Sequence, residues 1–115
     1  MEKTLVIGSC TVDIVIPTPR LPSTTDSINS GVHHYALGGC AYSVSQMQRL
    51  LSVPYLHCVT IGSSIYGDFV KKELKKKGIP VFLTSKEPHG ACICLVEESG
   101  ERSFIAYHGV EYKFD

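Results

Sequence analysis

The chain has 115 residues, is 43% hydrophobic, and sets 11 basic against 11 acidic side chains, for a formal net charge of zero. That length suits one globular domain and is short for two. The balanced charge excludes the basic footprint of a nucleic-acid or anionic-membrane binder, so neither is expected as a partner. The apolar runs fall well short of a membrane span, and MEKTLVIGSC has no signal-peptide core or cleavage site. Five cysteines, an odd number, suit free thiols in a reducing compartment, which makes the cytoplasm the expected address.

In chain order, TLVIGS (residues 4–9) is a short β-branched run bounded by Gly8 and predicts a buried strand. VDIVIP follows as a second strand and ends at the breaker-rich PTPRLPSTTDS. VHHYAL alternates faces and runs into Gly38-Gly39. From Ala41 to about residue 52 the apolar positions Val44, Met47, Leu50 and Leu51 recur at helical spacing, ahead of Pro54. YLHCVTIG (55–62) predicts another buried strand. IYGDFVKKELKKKG predicts a helix with Phe69, Val70 and Leu74 on one side, lysines on the other, an i,i+4 Glu73–Lys77 pair and Gly78 as its C-terminal stop. Its five lysines read as a solvated, dipole-compensating end. PVFLTS (80–85) predicts a third buried strand. Two alternating runs around EESGE make residues 91–107 a β-hairpin.

Strands alternating with helices argue an α/β fold on a parallel sheet, and the strands left over require a separate β layer. Candidate chemistry is sparse. Cys92 and Cys94 share a strand face without a second ligand pair, which favours apolar thiols over a metal site, and the scattered histidines form neither a metal set nor a triad. GSCTVD offers one glycine where a dinucleotide fingerprint needs three, and no phosphate-binding G-x-x-x-x-G-K-[ST] loop occurs. The pair Gly38-Gly39, set between a strand and a helix, leaves two readings open: a steric need for tight packing, or a ligand lying against bare backbone.

Four segments, in order, resemble the N-terminal part of a ribokinase-like (PfkB-type) carbohydrate kinase. VIGSCTVD is similar to the family's first strand and G-x-x-x-x-D turn, and LGGCAYS to its Gly-Gly signature. VTIGSSIYGDFVKKELKKKGI is similar to the "V-G-x-D-x-x-G…L…G-V" segment, and GACICLVEESGERSFIAYHGVEY to the "T-G…G-E-R…G-A-N" hairpin. The resemblance implies a parallel sheet flanked by helices (a Rossmann-like core) with a small β-sheet lid, incomplete in this chain. Within a single stretch 1–115 it implies lid strands at about 12–37 and 91–107 and an α/β core from 1–11, 38–90 and 108–115.

By carry-over, Asp13 accepts hydrogen bonds from substrate hydroxyls, Thr11 faces the same site, and Gly38 and Gly39 bring backbone against the substrate. Cys40 and Ser43 complete the implied substrate set, with two departures: Ser43 stands where the signature has Asn, and Cys40 where ribokinases proper carry Lys, so ribose is not implied. Gly62-Ser63-Ser64 also lacks the acidic residue common after that glycine. The resemblance covers about the first third of such a kinase. The anion hole, the catalytic Asp and the adenine loops have no counterpart here, so no catalytic residue is expected in these 115 residues. The expected function is the substrate-site and lid portion of an ATP-dependent sugar or nucleoside kinase. It would transfer the γ-phosphoryl group to a hydroxyl, with ATP and Mg2+ implied for the complete enzyme and the chain alone inactive. A truncated pseudo-kinase serving as a ligand-binding or interaction module is the alternative. Both faces of the 91–107 hairpin are apolar, with Ala91, Ile93 and Leu95 opposite Cys92, Cys94 and Val96, so a homodimer through the β lid is a further expectation.

Overall fold

The computed structural model describes residues 2–113. Its elements are β1 (Thr4–Ile7), β2 (Thr11–Thr18), β3 (His34–Gly38), α1 (Cys40–Leu50), β4 (Tyr55–Cys58), β5 (Thr60–Ser63), α2 (Ser64–Lys76), β6 (Leu83–Pro88), β7 (Ala91–Glu97) and β8 (Arg102–Tyr107), followed by a 3-10 turn at Val110–Tyr112. β1 pairs with β4 and β5 with β6, both parallel, as strand–helix–strand chains require. The remaining strands form a separate four-stranded sheet in the order β3-β2-β7-β8. Its middle pair, β2 with β7, is parallel, and the two outer pairs are antiparallel. Among the described residues no helix is long and apolar enough to cross a membrane.

The core joins the two layers. Val6 and Ile61 from the parallel strands and Val59 between β4 and β5 meet Val70 and Leu74 of α2, Ala41 of α1, and Val12 and Ala91 from the four-stranded sheet. Helix α2 forms as the pattern predicts: Val70 and Leu74 are buried, Phe69 is half-buried, and Gly78 adopts φ 70° just past the C-cap, Lys77. Its surface ion pair is Glu73 with Lys76, at 3.2 Å and i,i+3, and not with Lys77. The hairpin of β7 and β8 turns at Gly100 (φ 92°), where only glycine is unstrained.

Four further expectations change. YLHCVTIG is two strands, because β4 and β5 pair with different partners and Val59 belongs to neither ladder. PVFLTS gives way to β6 at Leu83–Pro88, which is largely exposed. β1 forms, but Leu5 and Ile7 are 56% and 60% exposed. The alternation puts Val6 and His57 on the covered side, leaving Leu5, Ile7 and Leu56 on a bare one. In α1 the stripe Val44, Met47, Leu50 and Leu51 is exposed, and the buried residues are Ala41 and Ser45. Small side chains let α1 lie close on β1 and β4, so its apolar stripe points outward; sequence periodicity finds a stripe without saying what covers it.

Candidate functional site

Ladder register decides which side chains share a face of the four-stranded sheet. Asp13 pairs with Ala36 on one side and Cys92 on the other, and Cys92 pairs with Ala106, so these four residues form one row. The row beyond it is His34, Val15, Cys94 and Phe104. Thr11, opposite Gly38, lies on the same face nearer the parallel sheet. The opposite face carries Val12 and Ile14, which pack toward the core, and Tyr35, whose ring stands 6.2 Å from that of Phe69 on α2.

Within this frame Asp13 is half-buried and held. The Thr11 hydroxyl donates to its Oδ1 at 3.2 Å. The carboxylate also lies across Gly38, where any Cβ would strike Oδ2. Gly39 has φ 90°, and a Cβ there would stand 2.5 Å from the Ser9 carbonyl oxygen. Both glycines are therefore required sterically, at the two places where the chain crosses between layers. The same packing leaves Asp13 with acceptor capacity that Thr11 does not use. From Gly39 the chain enters α1, where the Ala41 N–H donates to Ser9 and the Ser43 N–H to Gly39. Thr11, Asp13, Gly38 and Gly39 are thus brought together. Cys40 and Ser43 sit exposed on the first turn of α1, and among the described residues neither side chain bonds to Asp13.

The junction behind this site rests on two residues that sequence reasoning passed over. His89 is fully buried. Its Nδ1 accepts the Gly62 N–H at 3.0 Å, which leaves the proton on Nε2, and Nε2 donates to the Cys10 carbonyl at 2.8 Å. One imidazole therefore ties the end of β5 to the residue before β2. Glu111, 1% exposed, receives the Gly90 N–H on both carboxylate oxygens, at 3.1 and 3.0 Å, and fixes the entry to β7. Glycines fill what is left: a Cβ on Gly90 would strike the Tyr107 carbonyl, and one on Gly109 would meet the Pro88 carbonyl at 2.5 Å. A signal was present in the sequence, since His-Gly and Gly-Val-Glu bracket the hairpin symmetrically, but single polar residues beside glycine are common in turns.

Local charge follows this geometry. Burial, with added repulsion from Asp13 and Glu111, pushes the Cys10 thiol up to about 12, so it stays a neutral packing group. Burial also raises Cys92, helped by its neighbour Asp13 and then Cys94, so the thiol beside the carboxylate stays protonated. Cys94 is buried and Cys92 half-buried, and neither forms a disulfide. Among the described residues no three His, Cys, Asp or Glu side chains gather to hold a metal ion.

The pattern has counterparts. The family model for pfkB family carbohydrate kinases matches residues 1–115. An uncharacterized sugar kinase of Escherichia coli (strain K12), YegV, is 24% identical over 99% of this chain and 36% of its own length. Among solved structures, a ribokinase from Giardia lamblia superposes with a TM-score of 0.79 at 24% identity, over 95% of this chain and 36% of that one. The Arabidopsis thaliana ribokinase complexed with ribose and ATP gives 0.76 at 23% identity, over 95% of this chain and 37% of that one. The chain thus spans about a third of the length of these relatives, and the fold it shares with them is the ribokinase fold. With a family match running from its first residue to its last, the chain belongs to the pfkB family of carbohydrate kinases.

Proposed function

We propose that this chain supplies the substrate-binding and lid portion of an ATP-dependent kinase acting on a hydroxyl of a sugar or nucleoside. The observation that carries the reading is the half-buried Asp13, pinned by Thr11 over Gly38 and left with free acceptor sites on a face of small side chains. A carboxylate so held binds vicinal hydroxyls without reorganising, which is what orienting a polyol for phosphoryl transfer requires. Thr11, Asp13, Gly38 and Gly39 form the floor, and Cys40 and Ser43 contribute from the first turn of α1. The four-stranded sheet that carries Thr11, Asp13 and Gly38 acts as the lid, and the α/β core comprises 1–11, 38–90 and 108–115.

ATP and Mg2+ belong to the proposal for the complete kinase, together with a catalytic base outside these residues. The chain's own part is to bind and orient the acceptor. A cytoplasmic address and a homodimer are further parts of the reading. The sheet face turned away from Asp13 packs on the core at Ile14 and on α2 at Tyr35, and the same row runs on to Ile93 and to Ile105, 62% exposed, for which a second copy is the proposed cover. Light scattering of an Ile105→Glu variant tests this part: the parent should run as a dimer and the variant as a monomer.

The site itself is tested by calorimetric titration with sugars and nucleosides of the protein carrying this chain. Asp13→Ala should lower affinity by roughly 1.5–3 kcal/mol, the cost of one charge-assisted hydrogen bond. Ser43→Asn should bind as well as the parent or better. Equal binding by parent and Asp13→Ala removes the site.

A further inference from the structure

We infer that the substrate held at Asp13 carries a planar ring beyond its hydroxyl-bearing sugar, as a nucleoside does, and that Phe104 is the residue that stacks on it. The inference rests on the proposed site and narrows its substrate class. The row containing Asp13 is otherwise built of short side chains, Ala36, Cys92 and Ala106, so the sheet face beside the carboxylate is a shallow floor. One row further out the profile changes. Cys94 is 5% exposed, and directly opposite it on the same face Phe104 is 63% exposed, so the ring stands above the floor. Phe104 lies two strands across and two residues along from Asp13, about 12 Å away by strand spacing and rise. A monosaccharide anchored at Asp13 covers the short-side-chain row and stops before Phe104. A nucleoside has its hydroxyls at one end and a flat base at the other, and it spans that interval.

The chemistry suits a base. An aromatic ring gains from stacking on a flat π-face, and between Asp13 and Phe104 lie a methyl group and two thiols, Ala106, Cys92 and Cys94, with no further charge to desolvate. The Cys92 thiol is held neutral by burial and by Asp13, so it lines the floor without repelling a π-system. Two other exposed polar groups share this face: His34, at the far end of the Phe104 row, and Arg102, one row beyond Phe104, which would suit a phosphorylated sugar instead.

The experiment measures binding of ribose, ribose 5-phosphate, inosine and uridine by calorimetry to the protein carrying this chain. Parent, Phe104→Ala, Phe104→Tyr and Asp13→Ala are compared. The nucleosides should bind at least tenfold more tightly than ribose. Phe104→Ala should erase that advantage while leaving ribose affinity unchanged, Phe104→Tyr should restore it, and Asp13→Ala should weaken every ligand. If Asp13→Ala weakens binding but Phe104→Ala leaves the nucleoside-to-ribose ratio intact, the inference falls and the site stands. Tightest binding by ribose 5-phosphate, insensitive to Phe104→Ala, also overturns it. If Asp13→Ala changes nothing, the site reading itself has failed. Thermal melts separate a folding defect from a lost contact: a large drop in Phe104→Ala with an unchanged ratio means another part of the protein covers Phe104, which again overturns the inference.

Discussion

The junction between the two layers and the bare face of the parallel sheet differ in how far their groups are partnered. At the junction every polar group named has its partner: His89 serves Gly62 and Cys10, Glu111 serves Gly90, and Gly90 and Gly109 sit where no Cβ fits. On the face of β1 and β4 turned away from α1, Leu5, Ile7 and Leu56 stand in the open. Parallel sheets are stable when both faces are covered. The contrast shows that these residues build a fully partnered layer junction but only one of the two covers the parallel sheet needs, and the chain spans 36% of the length of the relatives it matches.

The largest effect should come from His89→Ala. It strands a buried N–H on Gly62 and a buried carbonyl on Cys10, for a loss of roughly 3–5 kcal/mol, read as a fall in the urea midpoint. A loss below 1 kcal/mol would mean the junction is not the rigid part. Gly109→Ala should follow, at about 1–3 kcal/mol from forced displacement of the Pro88 and Gly90 backbone. An Ala tolerated without loss would show that the junction can breathe.

A third test uses pH. His57 is 2% exposed, has neither ring nitrogen hydrogen-bonded among the described residues, and meets the Tyr42 ring edge-on at 6.4 Å. Burial holds its imidazole below the ordinary 6.5. Well above that value it is neutral in both states and adds no pH dependence. As pH falls below 6.5 the unfolded chain binds a proton that the folded site resists, so stability declines until the folded value is passed. Urea midpoints between pH 7 and 5 should fall more steeply for the parent than for His57→Phe; parallel slopes would mean the site admits water. The smallest effect belongs to the open face: Ile7→Ser should shift the stability of these 115 residues by less than about 0.5 kcal/mol. A loss of 2 kcal/mol or more would mean the face is already covered, by a second copy or by further chain.

Much of this was legible in advance. Element types followed from periodicity and punctuation: the β-branched run ahead of Gly8, the lysine-backed helix stopping at Gly78, the hairpin around Gly100. These are local choices, set by φ/ψ preference and by the alternation of side chains, so single residues decide them. The family was legible too, because four short segments kept their order. What escaped was partnership. Sequence could not say that Val44, Met47, Leu50 and Leu51 face outward, that YLHCVTIG serves two ladders, or that β6 begins three residues later than PVFLTS suggests. It predicted a stripe or a strand, while burial depends on what else the chain brings to that side. The glycine pair shows the division most plainly. The sequence by itself determined that residues 38 and 39 had to be bare. Only the tertiary structure decided why, by laying Asp13 across one and the Ser9 carbonyl against the other, contacts set by ladder register rather than by any neighbour in the chain.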